Sequence, residues 1–292
     1  MTAYELMVKT NHYLIKGGEL TDAQKANIVR QLLAAKTTPE QAARFYAGVR
    51  FPGNTDANGR RMYPEFFIPP YNGGKKHKTI LNQTPKTHIF SANLYELEIL
   101  RLLYLFAPDD PAVKNMAERT LTRLKTTCFG SEDDGVGECF DANLIVLRFL
   151  AAVVPNETAW IKDRIDNYNR HVNDKKRLWF CKWYFWLCLS ELPFELAKPE
   201  ADKYQREMVN WLEHKSCVMN SESDRIIHPV LLCILRNNLA RYPEYAHIKD
   251  RQPFVNGKDG RLYFDYGQIP NVRGIEIQNA DGAELYFIRI AI

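Results

Sequence analysis

Five carboxylates stand close together in this chain: Glu132, Asp133, Asp134, Glu138 and Asp141. They border a Gly-rich turn (CFGSEDDGVGE) and run into the apolar stretch LIVLRFLAA. Carboxyl groups gathered at the mouth of an apolar cavity gain proton affinity and serve as general acids. In a first helical turn the same residue types complement the helix dipole and cap free N–H groups. Both readings stand on the sequence alone. Glu138 and Asp141 are the candidate acids. His228 joins them, preceding Pro229 at the start of another apolar segment. A second histidine, His171, lies with Asp166, Tyr168, Asn169 and Arg170, and reads as the exposed end of a charged helix.

Two further groups carry chemistry. Gly73-Gly74-Lys75-Lys76-His77-Lys78 is a turn with adjacent cations, and Lys75, Lys76 and Lys78 could hold a phosphate or another anion. It lacks the GxxxxGK[ST] frame, so it is not a P-loop, and a solvated basic loop is the plain alternative. The aromatic set Trp179, Trp183, Tyr184, Phe185 and Trp186, with Tyr95 and Tyr104, suits a cavity wall that stabilises a carbocation or stacks on a sugar. It also suits simple core packing. GxSxG and HExxH are absent. The six cysteines, Cys128, Cys139, Cys181, Cys188, Cys217 and Cys233, show no CxxC spacing and read as buried reduced thiols. No metal site and no cofactor are expected.

The elements that would position these groups alternate across residues 91 to 241. Trp179 to Leu189 (WFCKWYFWLCL) is apolar almost all round, with Lys182 its one charge, whereas Thr158 to Val172 has a thin apolar stripe at Trp160, Ile161, Ile165 and Tyr168. A helix apolar on every side is buried on every side, and amphipathic helices cover it. Four apolar helices start at about 91, 138, 175 and 224, a spacing that suits repeated helix pairs. Their first turns hold Asn93, Glu96, Glu138, Asp141, Asn143, Asp224, Arg225 and His228, which would converge on one rim. Asn93, Tyr95, Glu96, Asn143, Trp179, Trp183, Asp224 and Arg225 are the candidate substrate contacts.

The fold expected is mainly α: a two-layer arrangement of helical hairpins, a toroid or partial barrel, with a small C-terminal antiparallel sheet. Residues 1–49 read as about three helices, and 91–250 as the helical body. Residues 50–90, rich in Pro, Gly and aromatics, read as a long loop packed on the body as a lid. Residues 251–292 alternate polar with β-branched or aromatic residues in GRLYFDY, Arg273 to Gln278 and ELYFIRI, with a hairpin signal at Asn279-Ala280-Asp281-Gly282.

Composition sets the outer bounds. The chain has 292 residues, 46% hydrophobic and 25% charged, with a net charge of +4, too mild to argue for nucleic acid by itself. No stretch reaches the roughly 20 apolar residues of a membrane span. The first residues carry no charged-then-apolar leader, and the chain reads as cytoplasmic.

The run Asp134-Gly135-Val136-Gly137-Glu138-Cys139-Phe140-Asp141-Ala142-Asn143 into LIVLRFLAA, with the inner–outer alternation, resembles the α/α-toroid proteins. Terpenoid cyclases and protein prenyltransferases of that group carry a Gly-rich turn, an acidic residue and then an inner helix. The resemblance covers about 150 residues. The chain is short for a full toroid and has no DxDD motif, the nearest stretch being Glu138-Cys139-Phe140-Asp141. No Asp, Cys and His combination matches a prenyltransferase zinc site. The resemblance implies a central cavity open at the N-terminal rim of the inner helices.

Three functions follow as expectations. The first is a cavity enzyme using Glu138 or Asp141 on a small apolar or sugar-like substrate, of cyclase, transferase, lyase or carbohydrate-active type. The second is a non-catalytic helical-repeat module with a groove for a protein. The third is a nucleic-acid binder using Arg60, Arg61, Lys75, Lys76 and Lys78 with interleaved aromatics.

Overall fold

The computed structural model describes residues 1–46, 62–68, 71–72, 75–85, 88–133, 135, 137–172, 179–267 and 277–279. The protein is mainly helical. The chain divides into two compact units, residues 1–14 with 18–198, and residues 15–17 with 199–292.

The first unit opens with α1 (Ala3–Ile15, whose last residue belongs to the second unit), α2 (Asp22–Ala34) and α3 (Pro39–Tyr46). Thr21 starts α2 with a capping box: its side chain accepts from the Gln24 N–H, and the Gln24 side chain accepts from the Thr21 N–H. A two-stranded ribbon pairs β1 (Tyr71–Asn72) with β2 (Lys75–Lys76). The helices α4 (His88–Phe106), α5 (Pro111–Leu124), α6 (Cys128–Ser131), α7 (Gly137–Val153), α8 (Thr158–His171) and α9 (Trp179–Glu191) follow. The first apolar helix, expected from about residue 91, starts three residues earlier, so Ser91, whose residue type suits a helix cap, lies inside α4. The expected Gly-rich loop opens with the single turn α6.

Side-chain contacts fix how these helices run. Asp141, Leu144 and Arg148 of α7 meet Cys181, Cys188 and Glu191 of α9 in that order, so the two helices are parallel. Glu98 and Arg101 of α4 meet Tyr184 and Glu191 of α9 in the same sense. Thus α4, α7 and α9 start at one end. α5 and α8 run back: Arg123, near the end of α5, reaches Asn93 and Glu96 near the start of α4, and Asn143 in α7 bonds the Arg164 carbonyl of α8. From Phe140 to Leu150 every residue of α7 is buried, as an apolar helix with neighbours on all sides requires. Tyr168 stacks on Phe185 with ring centroids 3.8 Å apart. Lys182 places its ammonium 4.9 Å from the centre of the Trp186 ring, which accommodates the one cation of that helix.

The second unit contains most of α10 (Phe194–His214), which continues through Pro199. It also holds α11 (Glu222–Leu239), started by a Ser221–Asp224 capping box, and a 3-10 turn at Pro243–Ile248. The buried Arg236 of α11 donates to the Arg251 and Ile15 carbonyls at 3.0 and 3.3 Å. A small antiparallel sheet has the order β4-β3-β5, with β3 at Pro253–Asn256, β4 at Leu262–Phe264 and β5 at Ile277–Asn279. The central strand β3 was not expected, because Pro253 heads it. Proline is tolerated as the first residue of a strand, where no ladder N–H is required. The ELYFIRI segment and the turn after Asn279 lie outside the described residues.

Candidate functional site

The N-terminal ends of α4, α7 and α9 gather most of the expected site residues of the first unit. On α4, Asn93 and Glu96 are both buried and both engage Arg123: its Nη1 donates to Asn93 Oδ1 at 2.6 Å, and its Nη2 pairs with Glu96 Oε2. The Glu65 backbone N–H donates to Glu96 Oε1 at 2.5 Å. Burial pushes the Glu96 carboxyl up to about 7, against the lowering pull of Arg123 and the Glu65 N–H. Glu65 is itself held by Arg119 at 2.7 Å and Lys36 at 3.4 Å. Residues 62–68 therefore pass beside Glu96, and Phe66 and Ile68 of that segment are buried.

Beside Glu96, Tyr95 is fully buried, and its hydroxyl has no hydrogen-bond partner among the described residues. The Tyr4 ring stacks on His77 at 3.9 Å, and Tyr95 meets both edge-on. Tyr4 Oη donates to the Lys78 carbonyl and accepts from the Lys78 N–H, both at 2.9 Å, which leaves the exposed Lys78 side chain beside this cluster. Lys75 and Lys76 form β2, paired with Asn72 and Tyr71. Gly73, Gly74, Arg60 and Arg61 lie outside the described residues.

On α7, Glu138 is half-buried in the first turn and Asp141 is buried one turn on. The Cys181 thiol of α9 donates to Asp141 Oδ1 at 2.8 Å. Asn143 Nδ2 donates to the Arg164 carbonyl at 3.1 Å, so this residue, expected to contact substrate, ties α7 to α8. Trp179 opens α9, and Trp183 is buried edge-on to Trp186 at 4.9 Å. Asp133 from the acidic loop accepts from His171 Nε2 at 2.6 Å and pairs with Arg170 at 3.0 Å. The structure thus joins two groups the sequence keeps apart, and His171 caps the loop instead of standing free at a helix end. Asp134 lies outside the described residues.

Asp224, Arg225 and His228 belong to α11 of the second unit. Asp224 completes the capping box, Arg225 is exposed, and His228 Nε2 stands 3.9 Å from Asp224 Oδ1, beyond hydrogen-bond reach. His228 Nδ1 has no hydrogen-bond partner among the described residues.

Deeper between α4, α7 and α9, the sequence reading missed a charged cluster. Arg148 Nη1 donates to Glu98 at 2.6 Å, and its Nε and Nη2 donate to the two oxygens of Glu191 at 2.8 and 2.7 Å. Tyr184 donates to the other Glu98 oxygen, while Arg101 pairs with Glu191 at 2.8 Å and donates to Asn11 at 3.3 Å. Two cations balance two carboxylates, which suits a structural core rather than a reactive group. The available signal was the presence of Glu98, Arg101 and Arg148 inside apolar helices, since buried charges are found paired.

Among the described residues no group of three or more His, Cys, Asp or Glu side chains could hold a metal ion, and no helix is long and apolar enough to cross a membrane. No protein-family model matches the chain, and searches of curated proteins and of solved structures returned no match.

Proposed function

We propose that the chain is a cytoplasmic cavity enzyme of the α/α-toroid type, its inner and outer helices paired as hairpins in a partial barrel. Its chemistry is general acid–base catalysis on an apolar or sugar-like substrate at the shared N-terminal end of α4, α7 and α9. Glu96 carries this reading. A buried carboxyl that holds its proton to about pH 7 can give or take one under neutral conditions. Residues 62–68 act as the cover that lifts to admit substrate. Tyr95 offers its unpaired hydroxyl to a substrate oxygen, and Asp141 and Glu138 supply the second carboxylate. Lys78, exposed beside the Tyr4–His77–Tyr95 cluster, is the cation for an anionic substrate group.

The test is incubation of the full chain with pooled oligosaccharides and, separately, with isoprenoid diphosphates, with products read by mass spectrometry. Turnover is expected in one pool, with a limb of the pH profile near 7. Glu96→Gln is expected to lower the rate about a hundredfold or more. No turnover in either pool, or full turnover in both Glu96→Gln and Asp141→Asn, overturns the reading.

A groove of about 550 Å³ favours a second reading, a binding module. Ala26, Val29 and Leu33 of α2 line it with Phe106 of α4, Arg30 contributes a cation, and Lys25 is paired with Asp22 at 3.2 Å. Binding of acidic amphipathic peptides that is weakened by Val29→Glu, with no turnover in either pool, would establish that reading instead.

A further inference from the structure

Two cysteines that the acid–base reading does not use face each other beside the acidic loop. Cys128 opens α6 and Cys139 lies in the first turn of α7. The Cys128 thiol donates to the Cys139 sulfur across 3.7 Å. Both are half-buried, whereas Cys181, Cys188 and Cys233 are buried. Burial also pushes the Cys188 and Cys217 thiols up, which leaves them poor nucleophiles.

The approach of these two sulfurs is set by the surrounding structure. The segment between them is anchored on α8 at several points. Trp160 Nε1 donates to the Gly130 carbonyl at 2.6 Å, and Arg164 donates to the Phe129 and Glu132 carbonyls at 3.2 and 3.0 Å. Asp133 is held by His171 and Arg170. Cys128 is the first residue of α6, ahead of the anchored residues 129–133, and the N-cap before it, Thr127, makes no side-chain cap bond, so Cys128 can yield the short distance to a sulfur–sulfur bond of about 2.05 Å while α7 stays in place.

We propose that Cys128 and Cys139 form a redox-active dithiol that hydrogen peroxide closes into a disulfide. One thiol loses its proton to solvent, and its thiolate attacks the O–O bond. A sulfur–oxygen bond forms, and hydroxide leaves to take up that proton as water. The second sulfur attacks the resulting sulfenic acid. The sulfur–sulfur bond forms, hydroxide leaves, and the second thiol proton makes it water. Two thiols lose two electrons and two protons, and one peroxide becomes two waters. The bridge encloses residues 129–138 and fixes the acidic loop to the first turn of α7.

The test treats the full chain with hydrogen peroxide, then counts thiols after denaturation and maps peptides by mass spectrometry. Six thiols are expected to fall to four, with a peptide joining Cys128 to Cys139 and full reversal by dithiothreitol. Cys128→Ser and Cys139→Ser should each stop at a single dimedone-trapped sulfenic acid. Six surviving thiols at peroxide levels that oxidise free glutathione overturn the proposal, as does a bridge that maps to other cysteines. The wild-type map decides the matter even where a serine variant fails to fold.

Discussion

Arg148 grips Glu191 through two parallel N–H donors, Nε to Oε2 at 2.8 Å and Nη2 to Oε1 at 2.7 Å. The fork geometry of a guanidinium matches a carboxylate in this way, and lysine cannot reproduce it. The same Arg148 also holds Glu98, so one side chain of α7 ties α4 to α9.

Arg148→Met should therefore cost about 3–5 kcal/mol, because it leaves Glu98 short of its cation and Glu191 with Arg101 alone. Urea unfolding followed by circular dichroism measures this. Adding Glu98→Gln removes the uncompensated charge and should recover part of the loss. A single-variant cost below about 1 kcal/mol would show that the pair does not matter for stability.

The buried Glu96 and the half-buried Glu191 should give opposite pH dependences. Glu96 is raised to about 7 in the fold by burial, from an ordinary 4.5. Its contribution to stability is complete below 4.5 and is lost as pH rises through about 7. Burial also acts on Glu191, but Arg101 and Arg148 outweigh it and hold the carboxyl below its ordinary 4.5. Its contribution is present above 4.5 and is lost as pH falls through the lowered value. Unfolding of the wild type, Glu96→Gln and Glu191→Gln across pH about 4 to 8 reads both. The stability lost in Glu96→Gln should shrink toward high pH, and that lost in Glu191→Gln should shrink toward low pH.

Gly135→Ala should remove one tie between the acidic loop and α8. A Cβ at this position would fall on the His171 ring, so the ring must leave Asp133. Asp133 is held below its ordinary value first by the His171 hydrogen bond and then by Arg170. In the variant its carboxyl should titrate closer to the ordinary carboxylate range, as NMR titration would show. An unchanged Asp133 titration would mean that another group holds it down.

Much of the helical order was legible because apolar periodicity survives in any context. Residues 158 to 172 read as a helix with an apolar stripe at Trp160, Ile161, Ile165 and Tyr168, and in α8 the last three are buried while Trp160 is half-buried. The start of α4 was misplaced because Ser91 looks like a cap but lies inside the first turns. The site was legible only in its residue types. Asp141 and Glu96 could be singled out as carboxylates at helix starts, but their partners Cys181, Arg123 and Glu65 come from other segments. Sequence spacing does not encode those pairings. The Asp133–His171 pair spans 38 residues and forms only because α8 runs back along α7.

Arg164→Lys should loosen the segment that carries Cys128. Arg164 is fully buried, and its guanidinium serves the Phe129 and Glu132 carbonyls together with Asp163. One ammonium cannot span those acceptors, so at least one buried carbonyl loses its donor, at about 1–3 kcal/mol. Hydrogen exchange should rise across residues 128–132 while α7 stays protected. Uniform exchange across both would mean that the two segments open as one unit.

The helix α9 poses a problem that its composition does not solve. A cylinder apolar on every side has no preferred rotation about its own axis, since turning it exchanges one greasy surface for another. Tyr184 and Glu191 act as keys in that cylinder. Turning α9 by one residue, about 100°, would pull both away from Glu98, Arg101 and Arg148 and leave the charges unmatched in a dry interior. The buried charges thus select one angular setting from many that oil alone would accept.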